Sequence, residues 1–407
     1  VLDLVIPIRN LTRNRVRSSV SLGAIVFGVV ALLLSGGFIE WIFLDMRETT
    51  ILSRLGHLQI TRPGFLFGGA ADPFAFLLSK DGKEMEIISA QPQVRLITSR
   101  LSFAGLISRG EATISFLAEG VEAEKEAVVS EQLKISQGQN LSSQDPKGII
   151  VGEGLAANLA VELGDRVVLL GTTESGGINA VEGHVRGLFY TTSKAFDDTF
   201  LRVPITTARE LLRVAGSHTW VVLLDKTENT EPVLNQLKQH FAESKVQLEA
   251  TPWTAQADFY RNTVKLFSRQ FGIVKFIIGV IIVLSISNMM TMSILERTGE
   301  IGTLMALGNK RKKILQMFVT EGFLLGLTGG VVGLILGIVL ARIISAVGIP
   351  MPPAPGMTRG FTGQILVTPG LAFSAFLISG FTSVLASLYP SWKASRLQIV
   401  DALRHNR

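Results

Sequence analysis

SILERTGEIGTLMALGNKRKKIL, residues 293–315, is a charged island between two apolar stretches. Phe276 to Leu295 before it and Gly322 to Ala341 after it carry no ionisable side chain. Each run matches the roughly 20 residues that a helix needs to cross a hydrocarbon core of about 30 Å. The island therefore reads as the short turn of a membrane hairpin. Within it Glu296 and Glu300 stand four apart, Ile301, Leu304, Met305 and Leu307 offer apolar surface, and Gly308 can end a short helix. Apolar side chains in such a turn need a partner protein or a lipid surface to pack against, and the spacing alone leaves both open.

Working outward, two more uncharged runs are long enough to cross a bilayer: Ser18 to Ile39, and a stretch within Phe361 to Trp392. Four spans plus one large soluble domain account for a chain of 407 residues that is 47% hydrophobic and 18% charged. Basic residues flank one side of the spans: Arg9, Arg13, Arg15 and Arg17 before the first, Arg297 and Lys310 to Lys313 in the island, and Lys393, Arg396, Arg404 and Arg407 in the tail. The positive-inside rule then predicts both termini and the island in the cytoplasm of an inner, or plasma, membrane protein. Residues 41–270 hold 23 Lys plus Arg against 27 Asp plus Glu, a net of −4, so the overall +6 comes from the membrane-flanking segments. Those segments face anionic lipid, which excludes nucleic acid as a partner. The absence of cysteine excludes a disulfide framework and a Cys-based metal site.

The predicted order is an interfacial segment (1–17), a first span (18–40), a stalk (41–57), a large domain (58–253), a second stalk (254–271), a second span (272–295), the island (296–313), a third span (314–344), a Pro-rich outer loop (345–369), a fourth span (370–391) and a tail (392–407). Ser18 to Ile39 reads as a retained anchor, since it lacks a clear small-residue cleavage site. The spacing of Trp41, Leu44, Ile51 and Leu55 predicts that the first helix projects beyond the membrane. A continuous helix from Thr254 to Arg297 would be roughly 65 Å long. Between the stalks, strands are expected at 58–61, 94–107, 113–121, 148–151, 166–170, 183–190, 199–205, 219–224 and 246–249. Helices are expected at 153–160, 206–214 and 230–241, giving a mixed order and an α+β domain. Gly64, Gly68, Gly69 and Pro73, interspersed with Phe65, Phe67, Phe74 and Phe76, suggest a mobile apolar loop. In the third span Gly322, Gly326 and Gly330 form one four-residue series, and Gly329, Gly333 and Gly337 a second, as close helix packing requires. Asn288, inside the second span, can hydrogen-bond a neighbouring helix or face lipid near the cytoplasmic end. For Lys275 and Arg342, at span ends, snorkelling to the outer interface is the simple account.

Glu296-Arg297, Glu300-Ile301-Gly302, Ala306-Leu307-Gly308 and Glu321-Gly322 resemble the pattern after the second membrane helix in MacB/FtsX-like ABC transporter permeases, a group that includes the lipoprotein-releasing permeases of the LolC and LolE type. GIIVGEGLA (148–156), followed by LGDRVVL (163–169), resembles part of the MacB-type periplasmic core domain. The resemblance implies a four-span permease subunit whose extracytoplasmic α+β domain stands on helical stalks between spans 1 and 2. It also implies that Glu296, Arg297, Glu300, Ile301, Gly302, Leu304, Ala306, Leu307 and Gly308 form a coupling helix on a separate cytoplasmic ATPase. A second permease copy or a homologue would complete a dimer. ATP and magnesium would be held by the partner ATPase, since the sequence given has no Gly-x-x-x-x-Gly-Lys-Ser/Thr phosphate cradle.

No catalytic constellation is visible. The five histidines have no metal-ligand spacing, and no Gly-x-Ser-x-Gly elbow is present. A groove for lipidated cargo is expected at Trp41, Phe43, Leu44, Phe259 and Phe267. Exported drugs or peptides, handled with a periplasmic or outer-membrane partner, form the competing substrate class. A third possibility is an FtsX-like regulator that switches an extracytoplasmic hydrolase without transport.

Overall fold

A computed structural model describes residues 15–398 of the chain, except 70, 80–82, 132, 192 and 354–359. Residues 1–14 of the expected interfacial segment, the centre of the Pro-rich loop and the end of the tail lie outside the described residues. Helix α1 (Arg15–Thr50) continues into a wide turn, Ile51–Leu55, closed by Gly56 at φ 63°. The large domain then runs β1 (Leu58–Thr61), β2 (Val94–Arg109), β3 (Ala112–Val121), α2 (Ala123–Val129), β4 (Lys134–Gly138), β5 (Gly148–Gly152), α3 (Glu153–Leu159), β6 (Arg166–Thr172), β7 (Ile178–Tyr190), β8 (Phe200–Pro204), α4 (Ile205–Leu212), β9 (Thr219–Leu224), α5 (Thr230–Glu243) and β10 (Glu249–Pro252). After it come α6 (Asp258–Glu296), α7 (Thr298–Ala306), α8 (Arg311–Val347) and α9 (Pro369–Ser395). The chain divides into a membrane unit (1–44, 263–351 and 362–407) and a domain unit (45–262 with 352–361).

In the domain unit, the 16-residue strand β2 organises two sheet regions. Its first half pairs with β9 and its second half with β6, while β3 runs beside it from Arg100 onward. The path β2, β3, β8, β5, β7, β6 returns to β2, closing a ring of six strands. Leu101, Ile107, Phe116, Val151, Leu169 and Val203 fill it, with Ala208 and Leu211 of α4 packed against them. Strands β10, β1 and β9 extend the sheet beyond β2, and Ile60, Trp220 and Val222 pack there against Leu234 and Leu237 of α5. The mixed α/β order matches the sequence expectation. It differs in elements that the sequence did not signal, α2, β4 and the short helices Phe65–Gly68, Lys83–Ser89 and Lys194–Asp197, and in β10, which lies three residues later than expected. Val246 is taken up at the end of α5, where its N–H donates to Phe241 O at 3.1 Å. The Phe-rich segment is folded rather than open: Phe65 stacks on His218 at 5.2 Å and touches Phe76, and Phe74 packs against the ring core. Phe67 alone of the four is fully out, 93% exposed.

The turn after α1 is tied to the sheets by His57. Its Nδ1 accepts the Leu224 N–H at 3.1 Å, which requires a neutral ring, and Nε2 lies 3.1 Å from Thr227 Oγ1. Burial, helped by Arg47 and opposed by Asp225 and Glu228, lowers its pKa to about 4. The unfolded chain binds a proton near pH 6.5 that the folded chain refuses until about pH 4. Stability from this group is therefore complete above pH 6.5 and falls as pH drops toward 4, by up to about 3 kcal/mol. Unfolding curves between pH 7 and 4 should show that slope in the wild type and a shallower one in His57→Gln.

The membrane unit holds four helices long and apolar enough to cross a bilayer. α1 and α6, at 36 and 39 residues, are each longer than the crossing itself needs. The expected continuous helix from Thr254 is interrupted: a short turn, Trp253–Gln256, ends at Ala257, and α6 starts at Asp258. The two glycine series of α8 serve two different neighbours. A Cβ added at Gly322 or Gly326 would lie 2.6 Å from Ser387 or Ser383 of α9. One added at Gly329, Gly333 or Gly337 would lie 2.6–2.7 Å from Ile25, Val29 or Leu33 of α1. On α9 the facing residues Ser379, Ser383, Ser387, Ser391 and Ser395 recur every four residues and are all buried. Ser379 Oγ donates to Gly326 O at 3.0 Å across the contact. Small side chains thus bring the helices together where hydrophobic burial gives little drive in lipid. Gly326→Leu should lower the melting temperature of the detergent-solubilised protein and cost about 1–3 kcal/mol through overpacking, whereas Gly370→Leu, at a position with open space around it, should leave it near wild type.

Candidate functional site

The charged island folds as α7, a separate nine-residue helix. α6 ends because Arg297 leaves helical geometry, at φ −105° and ψ 14°. Thr298 Oγ1 donates to the last carbonyls of α6, Ile294 O at 3.1 Å and Leu295 O at 2.9 Å. At the far end Gly308, at φ 89°, donates to Met305 O, and Asn309 N–H donates to Leu304 O at 3.1 Å, the paired bonds of a glycine-terminated helix. A side chain at 308 would strain this end, so the expected stop is the observed one.

α7 has two faces. Arg297, Ile301, Gly302 and Met305 are buried in the bundle, and Ile301 and Met305 share a cluster with Ile294, Ile314 and Phe318. The opposite face carries Glu300, Thr303, Ala306 and Leu307, all exposed, with Leu307 at 77%, and Glu296, the last residue of α6, is exposed before the break. Leu304 lies between the two. Of the nine expected coupling residues, Arg297, Ile301 and Gly302 therefore hold the helix in place rather than presenting surface. The reason is periodic within the helix: 300, 303 and 307 share one stripe, whereas 301 and 305 share another, with buried Arg297 at the break that precedes them.

Arg297 is anchored by a residue to which the sequence reading gave no role. Its Nη1 lies 3.4 Å from Glu321 Oε2, and both side chains are less than a tenth exposed. The signal available was positional, since Arg297 stands two residues beyond the apolar run Phe276 to Leu295 and Glu321 directly precedes the run Gly322 to Ala341. Asn288 is exposed and has no hydrogen-bond partner among the described residues, so it does not join a helix of this chain. The expected cargo groove does not assemble as five residues. Phe43 lines a cavity of about 280 Å³ together with Gly36, Ile39, Glu40, Phe271 and Lys275. Positions 36, 39, 40 and 43 share one face of α1, whereas Trp41 points elsewhere and stacks on Phe38 at 6.3 Å. Leu44 and Phe267 are not among the residues lining that cavity, and Phe259 is exposed on the part of α6 that belongs to the domain unit.

Residues 272–399, which hold α7 and the last three spans, match the family described as FtsX-like permease C-terminal. Residues 18–240, over half the chain, match the MacB-like periplasmic core domain. The chain belongs to the MacB/FtsX-like family of ABC transporter permeases. An uncharacterized ABC transporter permease of Methanocaldococcus jannaschii, MJ1507, is 30% identical over 66% of this chain and 65% of its own length. The lipoprotein-releasing system transmembrane protein LolC of Haemophilus influenzae is 26% identical over 64% of this chain and 65% of its own length. The chain thus aligns with just under two thirds of each relative. Among solved structures, the periplasmic region of MacB from Actinobacillus actinomycetemcomitans is 17% identical, covering 54% of this chain and 98% of its own length with a TM-score of 0.38. Membership in this permease family places four apolar helices and a MacB-type domain in one membrane protein. Among the described residues no group of His, Asp and Glu could hold a metal ion.

Proposed function

We propose that this permease couples ATP hydrolysis in a separate cytoplasmic ATPase to movement of its long helices and extracytoplasmic domain, a mechanotransmission device for extracting or exporting lipoprotein, lipid, peptide or drug. The observation that carries the reading is the division of α7 into a face locked in the bundle and a solvent-exposed stripe of Glu300, Thr303 and Leu307. An acidic and apolar stripe on a helix that cannot swivel passes a push from a bound subunit to α6 and α8, which flank it in sequence. Both termini are assigned to the cytoplasm on the charge pattern.

The exposed side of α6 supports pairing with a second permease. Ile277, Ile281, Leu284, Asn288, Thr291 and Leu295 alternate at four- and three-residue spacing, and all are exposed in the single chain. Thr291 bonds its own helix at Ser287 O, which leaves the Asn288 amide as the polar group seeking a partner in the apolar span. An amide donates and accepts, so two copies satisfy each other across a two-fold axis, as a single Asn in a helical seam does.

The test is affinity purification from native membrane with identification of co-purifying chains. Wild type should bring down one ATPase and a second permease copy or homologue. Glu300→Lys and Leu307→Asp should lose the ATPase by tenfold or more while retaining the permease pairing. If the ATPase is absent with wild type, or stays bound to both variants, the coupling reading is wrong.

A further inference from the structure

A cavity of the membrane unit lies away from α7, at the end of α8. It measures about 620 Å³, within the range of roughly 300–1,000 Å³ typical of ligand pockets. Its walls are Ile338, Ala341, Arg342 and Ser345 of α8, and Gln364 and Ala372 from the segment that leads into and opens α9. The two walls are tied together. Ser345 Oγ accepts the Ile365 N–H at 2.9 Å and lies 3.2 Å from Ile365 O, so the space is built in rather than left by a loose loop.

The polar groups divide into spent and unspent. Ser345 is satisfied as described, and Thr368 accepts the Leu371 N–H at 3.2 Å as it caps α9. Arg342 and Gln364 have no hydrogen-bond or charge partner among the described residues. Arg342 is the first charged residue after the uncharged run Gly322 to Ala341, which spans about 30 Å as helix. The guanidinium therefore stands at the boundary between hydrocarbon and headgroups, with five donors suited to a phosphate. Below it the floor is apolar, Ile338 with buried Ala341. The lipid-facing surface continues downward through exposed Ile335, Val339, Phe373 and Leu377. No carboxylate lines the cavity, so an anionic headgroup enters without opposition, whereas the ammonium of a zwitterionic one finds no counter-charge.

We infer that this cavity seats an anionic glycerophospholipid, its phosphate held by Arg342 and Gln364 and its acyl chains lying along α8 and α9. The orientation proposed above makes this an outer-leaflet site. The assignment does not depend on an ATPase docking at α7, so failure of either leaves the other standing. A resident lipid here would fill the gap between α8 and α9 and add to the membrane unit's stability.

The test is native mass spectrometry of the full chain, purified in detergent and titrated with phosphatidylglycerol or phosphatidylcholine. Wild type should retain one phosphatidylglycerol per chain in preference to phosphatidylcholine. Arg342→Gln should weaken retention by about tenfold or more, the scale of one charge-assisted contact, with Arg342→Lys between the two. Ala372→Phe, which fills the cavity and keeps Arg342, should also expel the lipid, and melting curves without added lipid confirm that each variant is folded. Equal retention by wild type and Arg342→Gln, or by wild type and Ala372→Phe, overturns the site. Equal binding of phosphatidylcholine overturns the headgroup assignment. Displacement by equimolar glycerol 3-phosphate overturns the lipid in favour of a soluble anion.

Discussion

Arg202→Met is expected to destabilise the domain unit by about 3–5 kcal/mol and to lower its melting temperature by roughly 10 °C. Arg202 belongs to a buried quartet with Arg100, Glu119 and Glu126, drawn from β8, β2, β3 and α2. Arg100 Nη2 meets Glu126 Oε1 at 2.6 Å, Arg202 Nη2 meets Glu119 Oε2 at 3.3 Å, and Arg202 Nη1 meets Glu126 Oε1 at 3.3 Å. All four side chains are at least nine-tenths buried, so water screens none of these contacts. The two arginines also reach the turn that follows α1. Arg100 donates to Arg54 O, and Arg202 donates to Ser53 O at 3.4 Å, both acceptors among the carbonyls at a helix C-terminus, where cations are favoured. Removing one cation leaves two carboxylates against a single arginine and takes a donor from that turn. Replacing all four by Met or Leu of similar volume should recover much of the loss, since an unpaired buried charge costs more than a well-packed apolar core. If Arg202→Met unfolds within about 1 kcal/mol of wild type, the cluster behaves like a solvated surface pair and does not fasten the turn.

The same quartet adds an acid-side dependence. Burial pushes Glu119 upward, but Arg100 and Arg202 beside it, with Arg54 farther off, outweigh burial and hold the carboxyl below its ordinary value. A depressed carboxylate stabilises the fold above the unfolded value near pH 4.5, and the contribution is lost as pH falls through the folded value. That window opens near pH 4.5, at the foot of the one set by His57, which covers pH 6.5 to 4, so most of the His57 loss comes first. The two titrations are therefore separable in a single pH series.

The spans were legible because uncharged runs of that length have few other uses, and the strands because period-2 alternation survives wherever one face is buried. α2 and β4 were missed for related reasons. Ala123–Val129 contains two glutamates and a lysine, and it is helical because Glu126 is spent inside the quartet rather than in water. Lys134–Gly138 is short and polar, and it pairs with β7 through tertiary register rather than propensity. At the site, the existence and stop of α7 could be read from Gly308 and the flanking apolar runs, but the break at Arg297, which starts the helix at Thr298 rather than Glu296, could not. Nor could which of its faces is exposed, because Ile301 and Leu307 are equally apolar in sequence and only the bundle distinguishes them. The glycine series illustrate the same limit. Their spacing announced close packing, but that one series meets the serines of α9 and the other the branched side chains of α1 depends on where three helices converge.

Arg297→Met is the second large effect expected, and it bears directly on coupling. It removes the guanidinium 3.4 Å from the Glu321 carboxylate, itself 2% exposed, a loss of about 3–5 kcal/mol. α7 would then be held to the bundle chiefly by Ile301 and Met305, and a push on its outer stripe would be absorbed as rotation of the helix. Two consequences can be separated by adding Glu321→Leu. The double variant removes the carboxylate as well and should regain most of the melting temperature, since an apolar pair of similar volume packs where the ions stood. It should not regain transport-linked ATPase stimulation, because the packing of Met on Leu fixes no orientation comparable to an ion pair between α7 and α8. Full recovery of both properties would mean that the pair serves only stability and that Ile301 and Met305 alone set the angle of α7. Recovery of stability without stimulation would assign the transmission of force across the membrane face to one guanidinium and one carboxylate, held 3.4 Å apart.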